Sequence, residues 1–363
     1  MDVDYQPLPL DLVASLTELP FPVYLQRDGR MVLYATPGSD LSGALARSMA
    51  GLQVHVPAPD AGAMRRLLVV LFARALEARS EPVADRGRRA VDFAVALVGP
   101  LFGRERAIDP DAFFGAQAAI DLLSTALDVD PALGRAVLMG HPVGRDAPDA
   151  PEAPVRPTPS LPVARRPGLR PTAEARRLTL RAIDGLVCAI ALARSLGDDR
   201  RGVADRALLE LGRGVAFRDV GLSRAVPADG KRPLHTARSG STGDRSHPGL
   251  GVRLIVDALG AAPPWAPIVA GHHERLDGSG FPAGRQGDDL SRAVRIAGLA
   301  DTFASLVAPA AWGHVRAADE AIGVLRLGAR ARFGDDLVWA LVRVLESGQL
   351  LPLHRAGSVG ATH

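Results

Sequence analysis

Between residues 142 and 171 the chain reads PVGRDAPDAPEAPVRPTPSLPVARRPGLRP, a stretch holding nine of the 29 prolines. Proline has no N–H to donate and its ring clashes with a preceding helical turn, so this stretch can continue neither a helix nor a sheet ladder. It reads as an extended, mobile linker. It divides the chain into a unit over residues 1–141 and a second over 172–354, followed by a frayed tail at 355–363. With 363 residues, 47% of them hydrophobic, each side has enough apolar material to form a core.

The first unit opens with β-prone runs. LPFPVYLQRDGRMVLYA, residues 19–35, places two of them around Asp28-Gly29, a strong hairpin signal. A third short strand is expected in LQVHVPA at 52–58, with His55 a structural histidine among apolar neighbours. From Asp60 onward the apolar spacing becomes helical, through MRRLLVVLFARALEA, AVDFAVALVGPLF and AFFGAQAAIDLLSTALDV. The second unit is helical almost throughout. The expected fold class is therefore mostly α: an all-α bundle preceded by a smaller α+β accessory domain.

Charge and cysteine usage narrow the setting. The balance of 43 basic against 40 acidic residues is close to neutral, and the arginines are scattered among acids without interleaved aromatics. A nucleic-acid surface is not expected. The single cysteine, Cys188, lies in an apolar run and can form no internal disulfide, which suits a reducing cytoplasm. MDVDYQ at the start lacks the basic and apolar regions of a signal peptide. The best apolar run for a membrane span, residues 178–196, carries Arg181, Asp184 and Arg194, so no membrane segment is expected. No dinucleotide fingerprint, phosphate-binding glycine loop or CxxC pair is present.

Chemistry concentrates in the second unit. His247 opens HPGLG before an apolar helix, His272 and His273 follow PIVAG, Asp219 sits in VAFRDVGL, and Asp301 sits in IAGLADTFASL. A carboxylate on an apolar helix face needs a partner to offset its desolvation. Three histidines and two aspartates embedded in apolar helix are what a divalent-metal cage in a bundle requires, with Mn, Fe, Zn or Ni as candidates. His141, His235, His314 and His354 carry no supporting pattern.

HHERLDGSGFPAGRQG at 272–287, followed by AVRIAGLADTF at 293–303, resembles the HD-GYP branch of the HD metal-dependent phosphohydrolases. The family pattern is HHE, then DGxGYP, a further glycine, an arginine-isoleucine pair and an alanine-aspartate pair. Each element is present except that Phe281 stands where the family has tyrosine. The resemblance spans about residues 172–345, and the hairpin-led first unit is similar, more weakly, to accessory domains that precede such domains. It implies a site of two or three metal ions, usually iron or manganese, that hydrolyses cyclic di-GMP through a metal-activated hydroxide. It implies a substrate-contacting loop of Arg275, Asp277, Gly278, Gly280, Phe281 and Pro282, and Glu274 beside it reads as a partner orienting a histidine rather than as a catalytic base. Arg275 could equally pair with Glu274 or Asp277.

The sequence departs from that pattern upstream. In AFRDVGL, Asp219 keeps the aspartate of the HD pair, but Arg218 replaces its histidine and Leu222 a following lysine. Counting back without a gap puts Arg181 where another histidine ligand is expected. Downstream, Ala304 and Ala310 replace an aspartate and a nucleotide-contacting arginine. The resemblance implies that Asp219, His247, His272 and His273 share one ion, and all four remain. The ion that would need residues 181 and 218 has lost its ligands, since guanidinium stays protonated and repels a cation.

Three readings follow. One is a non-catalytic regulator of cyclic di-GMP signalling that keeps the fold and one divalent ion, iron, manganese or similar, and binds a nucleotide or a diguanylate-cyclase-domain protein. Another is a residual metal-dependent phosphodiesterase in which Asp219, His272 and His273 still act. The third is a bundle in which the retained histidines only satisfy one another.

Overall fold

The computed structural model describes residues 5–8, 22–27, 29–39, 54–57, 61–139, 171–197, 204–224, 245–307 and 318–351. The proline-rich stretch up to residue 170, the tail at 355–363, His141, His235, His314, His354 and Ala310 lie outside them.

Four strands form one antiparallel sheet in the order β1-β4-β2-β3: β1 (Tyr5–Leu8), β2 (Val23–Arg27), β3 (Arg30–Ala35) and β4 (Val54–Pro57). The expected hairpin joins β2 to β3 with Arg27 opposite Arg30, and Gly29 supplies the positive φ (76°) of the turn. His55 is buried on β4, where it pairs with Tyr24 of β2 and Pro7 of β1.

Helices follow: α1 (Ala61–Glu77), α2 (Val83–Val98), a 3₁₀ turn (Gly99–Phe102), α3 (Pro110–Val129) and α4 (Pro131–Met139). Beyond the proline-rich stretch come α5 (Ala173–Ser195), α6 (Ala204–Phe217), α7 (His247–Leu259), α8 (Ala266–Gly271), α9 (Arg292–Val307), α10 (Ala318–Gly328), α11 (Arg330–Phe333) and α12 (Asp335–Glu346). Their starts follow local chemistry. Asp109 accepts from the Asp111 N–H ahead of Pro110 at α3, and Thr172 accepts from the Ala175 N–H at α5. Gly260 ends α7 in the left-handed conformation.

α5 is buried on nearly every face and packs against α2, α3, α4, α6, α9 and α12. A helix apolar all round belongs at the centre of a bundle. One buried apolar cluster runs from the sheet through α1–α4 into α5–α12, so the helices before and after the proline-rich stretch share a core. Phe113 on α3 meets Phe217 at the end of α6 at 5.2 Å, and Phe217 meets Trp265 at 5.6 Å. Arg213 on α6 donates through two nitrogens to Asp121 on α3, at 2.8 and 2.6 Å.

The membrane reading of the sequence centred on residues 178–196, but α3 is the helix among the described residues that is long and apolar enough to cross a bilayer. Its apolar length has another explanation. Phe113, Ala116, Ile120 and Leu123 are buried against neighbouring helices, while Asp121 engages Arg213.

Candidate metal centre

α6 ends at Phe217, and the chain turns through Arg218–Arg224 beneath the first turn of α7. Gly221 permits this approach: a Cβ there would lie 2.7 Å from the Gly251 nitrogen. Asp219 is thereby set beside His247, the first residue of α7. α8 ends at Gly271 and delivers His272 and His273 to the same point. Ligand atoms of Asp219, His247, His272 and His273 all lie within 4.8 Å of one another.

The geometry suits a cation. The Nε2 atoms of His247 and His272 face each other at 3.3 Å, and Asp219 Oδ1 stands 3.5 and 3.6 Å from them. His272 Nδ1 donates to the Val269 carbonyl at 2.9 Å, which orients the ring so that Nε2 faces the cluster. A four-coordinate ion with bonds near 2.0–2.2 Å separates its ligand atoms by about 3.3–3.6 Å, close to these spacings. Burial raises the Asp219 pKa, yet Arg181, Arg218 and His272 outweigh it and hold the carboxyl well below the usual range. Burial, then the neighbouring His272, pushes His273 well below its ordinary value, so it is a neutral imidazole, the form that ligates. Asp219, His247 and His272 are buried, whereas His273 is half-buried and marks the open side.

Asp301, expected among the ligands, lies outside this cluster. Its Oδ1 accepts from Arg181 Nη2 at 2.8 Å and from Arg218 Nε at 3.0 Å. The same guanidiniums approach the far oxygen of Asp219, with Arg181 Nε at 3.7 Å and Arg218 Nε at 3.5 Å. The two substituted positions therefore do come together, on the side of Asp219 opposite the histidines. Residues 181 and 218 as they stand do not fit a second ion, because both present positive charge where a ligand lone pair is needed. Leu222 and Ala304 are buried apolar residues.

The loop after His273 folds over the cluster. Phe281 stacks on the His273 ring at 4.4 Å, and the Phe281 N–H donates to the His273 carbonyl at 3.2 Å. The Arg245 guanidinium lies 5.4 Å above the Phe281 ring, at the exposed mouth. Gly278 and Gly284 take positive φ of 75° and 64°, Pro282 is exposed and follows a cis peptide, and Gly280 lies so close to the backbone of 273–275 that a Cβ would come within 2.5 Å. Asp277 is exposed and caps its own turn, accepting from the N–H and hydroxyl of Ser279.

Two expected roles change. Among the described residues Glu274 bonds to no histidine; its buried carboxylate accepts from the Ala283 N–H at 2.7 Å and the Arg285 N–H at 3.0 Å, pinning the far end of the loop. Arg275 pairs with neither Glu274 nor Asp277 through their carboxylates. It donates to the carbonyls of His272 and Glu274 and lies 4.7 Å over the Phe333 ring, so it braces the loop from behind. Sequence reasoning missed Gly185 on α5, where a Cβ would lie 2.7 Å from Arg218 Nη1. An isolated glycine inside an apolar helix was the available signal.

Residues 246–337 match the family model described as HD domain. Over 66 residues the chain is 35% identical to a probable cyclic di-GMP phosphodiesterase of Vibrio cholerae, a match covering 18% of this chain and 15% of that protein. Over 87 residues it is 32% identical to the 3′3′-cGAMP-specific phosphodiesterase 3 of the same organism, covering 24% of this chain and 18% of the relative. The aligned stretches thus span less than a fifth of either relative. Among solved structures the chain resembles Bd1817, an HDG"Y"P protein from Bdellovibrio bacteriovorus. That match has a TM-score of 0.56 and 15% identity, over 94% of this chain and 100% of the other. The likeness is one of fold, and at 94% of this chain it extends beyond the residues that match the family model.

Proposed function

We propose, from the premise that the helical second half of this chain is an HD domain of the HD-GYP family, that the protein binds a 3′,3′-cyclic dinucleotide beside a single divalent ion without appreciably hydrolysing it. The observation that carries this reading is the two-sided environment of Asp219. One carboxylate oxygen faces His247 and His272, and the other faces two guanidiniums. Asp219, His247, His272 and His273 would hold the ion, which when bound supplies a positive charge for phosphate oxygens. The half-buried His273, the Phe281 ring stacked on it and the exposed Arg245 lie together at the histidine side of the cluster. A ring and a guanidinium at the mouth suit a base and a phosphate.

Two-ion hydrolysis clamps both the attacking and the leaving oxygen, and losing one such stabilising charge typically costs ~10² to 10³ in rate. Titration calorimetry with cyclic di-GMP and with 3′3′-cGAMP, each with and without Mn²⁺, tests binding. A multiple-turnover assay with the same compounds tests chemistry. Saturable, ion-dependent binding with negligible product is expected. Turnover approaching ~1 s⁻¹, within the ordinary enzyme range, would establish a working phosphodiesterase instead. Absence of binding by either nucleotide, with or without the ion, would reject the proposal. The single cysteine, Cys188, is a free thiol buried on α5, which suits a reducing compartment such as the cytoplasm.

A further inference from the structure

The second ion that the family implies does not fit here, and what stands in its place is built as carefully as a ligand set. Asp219 and Asp301 are both almost fully buried, at 2% and 4% exposure. Two carboxylates at that depth require a counter-charge. Between them lie Arg181 and Arg218. Both donate to Asp301 Oδ1, and both lie within 3.7 Å of Asp219 Oδ2. A pair of guanidiniums carries the charge of one divalent ion, and here it bridges Asp219 to Asp301.

Arg218 is committed entirely to this role. It is 0% exposed, and its Nε donates to Asp301, its Nη1 to the Val215 carbonyl at 2.7 Å and its Nη2 to the Arg181 carbonyl at 3.2 Å. All three of its side-chain nitrogens are engaged within the protein, so Arg218 does not face a phosphate arriving from solvent. The neighbouring helix is shaped to receive it. Gly185 of α5 leaves the notch in which the guanidinium lies, for a Cβ there would stand 2.7 Å from Nη1 and 3.1 Å from Cζ and Nη2. A bulky planar cation and a glycine 33 positions away in sequence are matched in shape.

We propose that Arg181 and Arg218 are a protein-supplied replacement for the second metal ion. They bridge Asp219 and Asp301 as the counter-charge of those buried carboxylates, close the second site to any metal, and make folding of the bundle independent of metal. The proposal rests on the one-ion reading of the centre but not on nucleotide binding. Failure of dinucleotides to bind leaves it intact, and its own failure leaves dinucleotide binding untouched.

The test compares the full-length protein with Arg218→Met, Gly185→Ala and the double variant Arg181→His/Arg218→His. Metal content is measured after dialysis against Zn²⁺ or Mn²⁺, and thermal unfolding is followed in EDTA and with each ion. The wild type should hold at most about one ion per chain and unfold cooperatively in EDTA. Arg218→Met should lower Tm in EDTA by about 5 °C or more, because it leaves buried carboxylates short of a counter-charge. Gly185→Ala, which keeps both charges but crowds the notch, should lower Tm in the same direction and by less. It supplies the reading if Arg218→Met does not fold. The double histidine variant should be the least stable in EDTA, then bind a second ion and regain Tm when Zn²⁺ or Mn²⁺ is added. Two ions per chain in the wild type would overturn the proposal, as would Arg218→Met or Gly185→Ala melting within a degree of wild type in EDTA. So would a double variant whose Tm ignores both metals.

Discussion

Asp301 receives two guanidiniums through one oxygen, so its charge is stabilised only while both arginines stay in place. Burial by itself would raise its pKa, but Arg181 and Arg218 outweigh burial and carry it far below the ordinary carboxylate value. A carboxyl depressed in the folded state contributes stability that is fully present above its unfolded pKa of ~3.9. That contribution is lost as pH falls below ~3.9 toward the folded value, because the unfolded chain then binds the proton first. In Arg218→Met one cation remains against the same burial, the folded pKa rises, and acid unfolding should begin at a higher pH than in the wild type. Far-UV circular dichroism during acid titration reads this shift. Coincident acid midpoints for the two proteins would mean that Arg218 does not set the charge of Asp301.

At the scale of elements, the loop joining α8 to α9 shows how local backbone demands and distant contacts divide the work. Its glycines serve different needs: Gly278 and Gly284 supply left-handed turns, whereas Gly280 lets the loop lie against the backbone of His273 and Arg275. Replacing Gly280 by alanine should cost about 1–3 kcal/mol, the range for forcing extra volume into a packed site. It should also weaken Zn²⁺ binding, because the same contact seats Phe281 on His273, one of the four residues proposed to hold the ion. Thermal unfolding and Zn²⁺ titration calorimetry together check this, and a variant unchanged in both would show that the close approach is dispensable. Glycine and proline spacing made the loop legible in the sequence, since each answers to its own φ or its own missing Cβ. The work of Glu274 was not legible, because its two N–H donors come from residues nine and eleven positions on, and their place depends on the path of the loop.

Across the whole molecule, helices on either side of the proline-rich stretch share one apolar core, joined by the Phe113, Phe217 and Trp265 rings and by the Arg213–Asp121 pair. The turn that carries Asp219 is tied to the first half as well. Ser223 donates to the Gly103 carbonyl at 2.9 Å, and Arg224 donates to the Leu101 carbonyl at 2.8 Å. Such continuity predicts one cooperative unfolding transition rather than two. Phe113→Ala, which opens a cavity at the junction, should lower that single transition by about 3–5 kcal/mol. Differential scanning calorimetry decides between the alternatives, and two resolved endotherms would show that the halves hold separate stabilities.

Helical periodicity, the hairpin at Gly29 and the spacing of 272–287 were readable because each is a property of neighbours in the chain, where side-chain direction repeats with a known period. The likeness to the family's motif then picked out Asp219, His247, His272 and His273, and the fold brings those four together. Which partner each remaining polar group takes is a different kind of fact. Arg181 and Asp301 are 120 residues apart, and Arg218 and Asp301 are 83 apart. Asp301 looked like a ligand because a buried carboxylate needs a cation, and either a metal or a guanidinium satisfies that need. Packing alone selected the arginines, through a glycine notch on α5 that means nothing until α6 and α5 lie side by side.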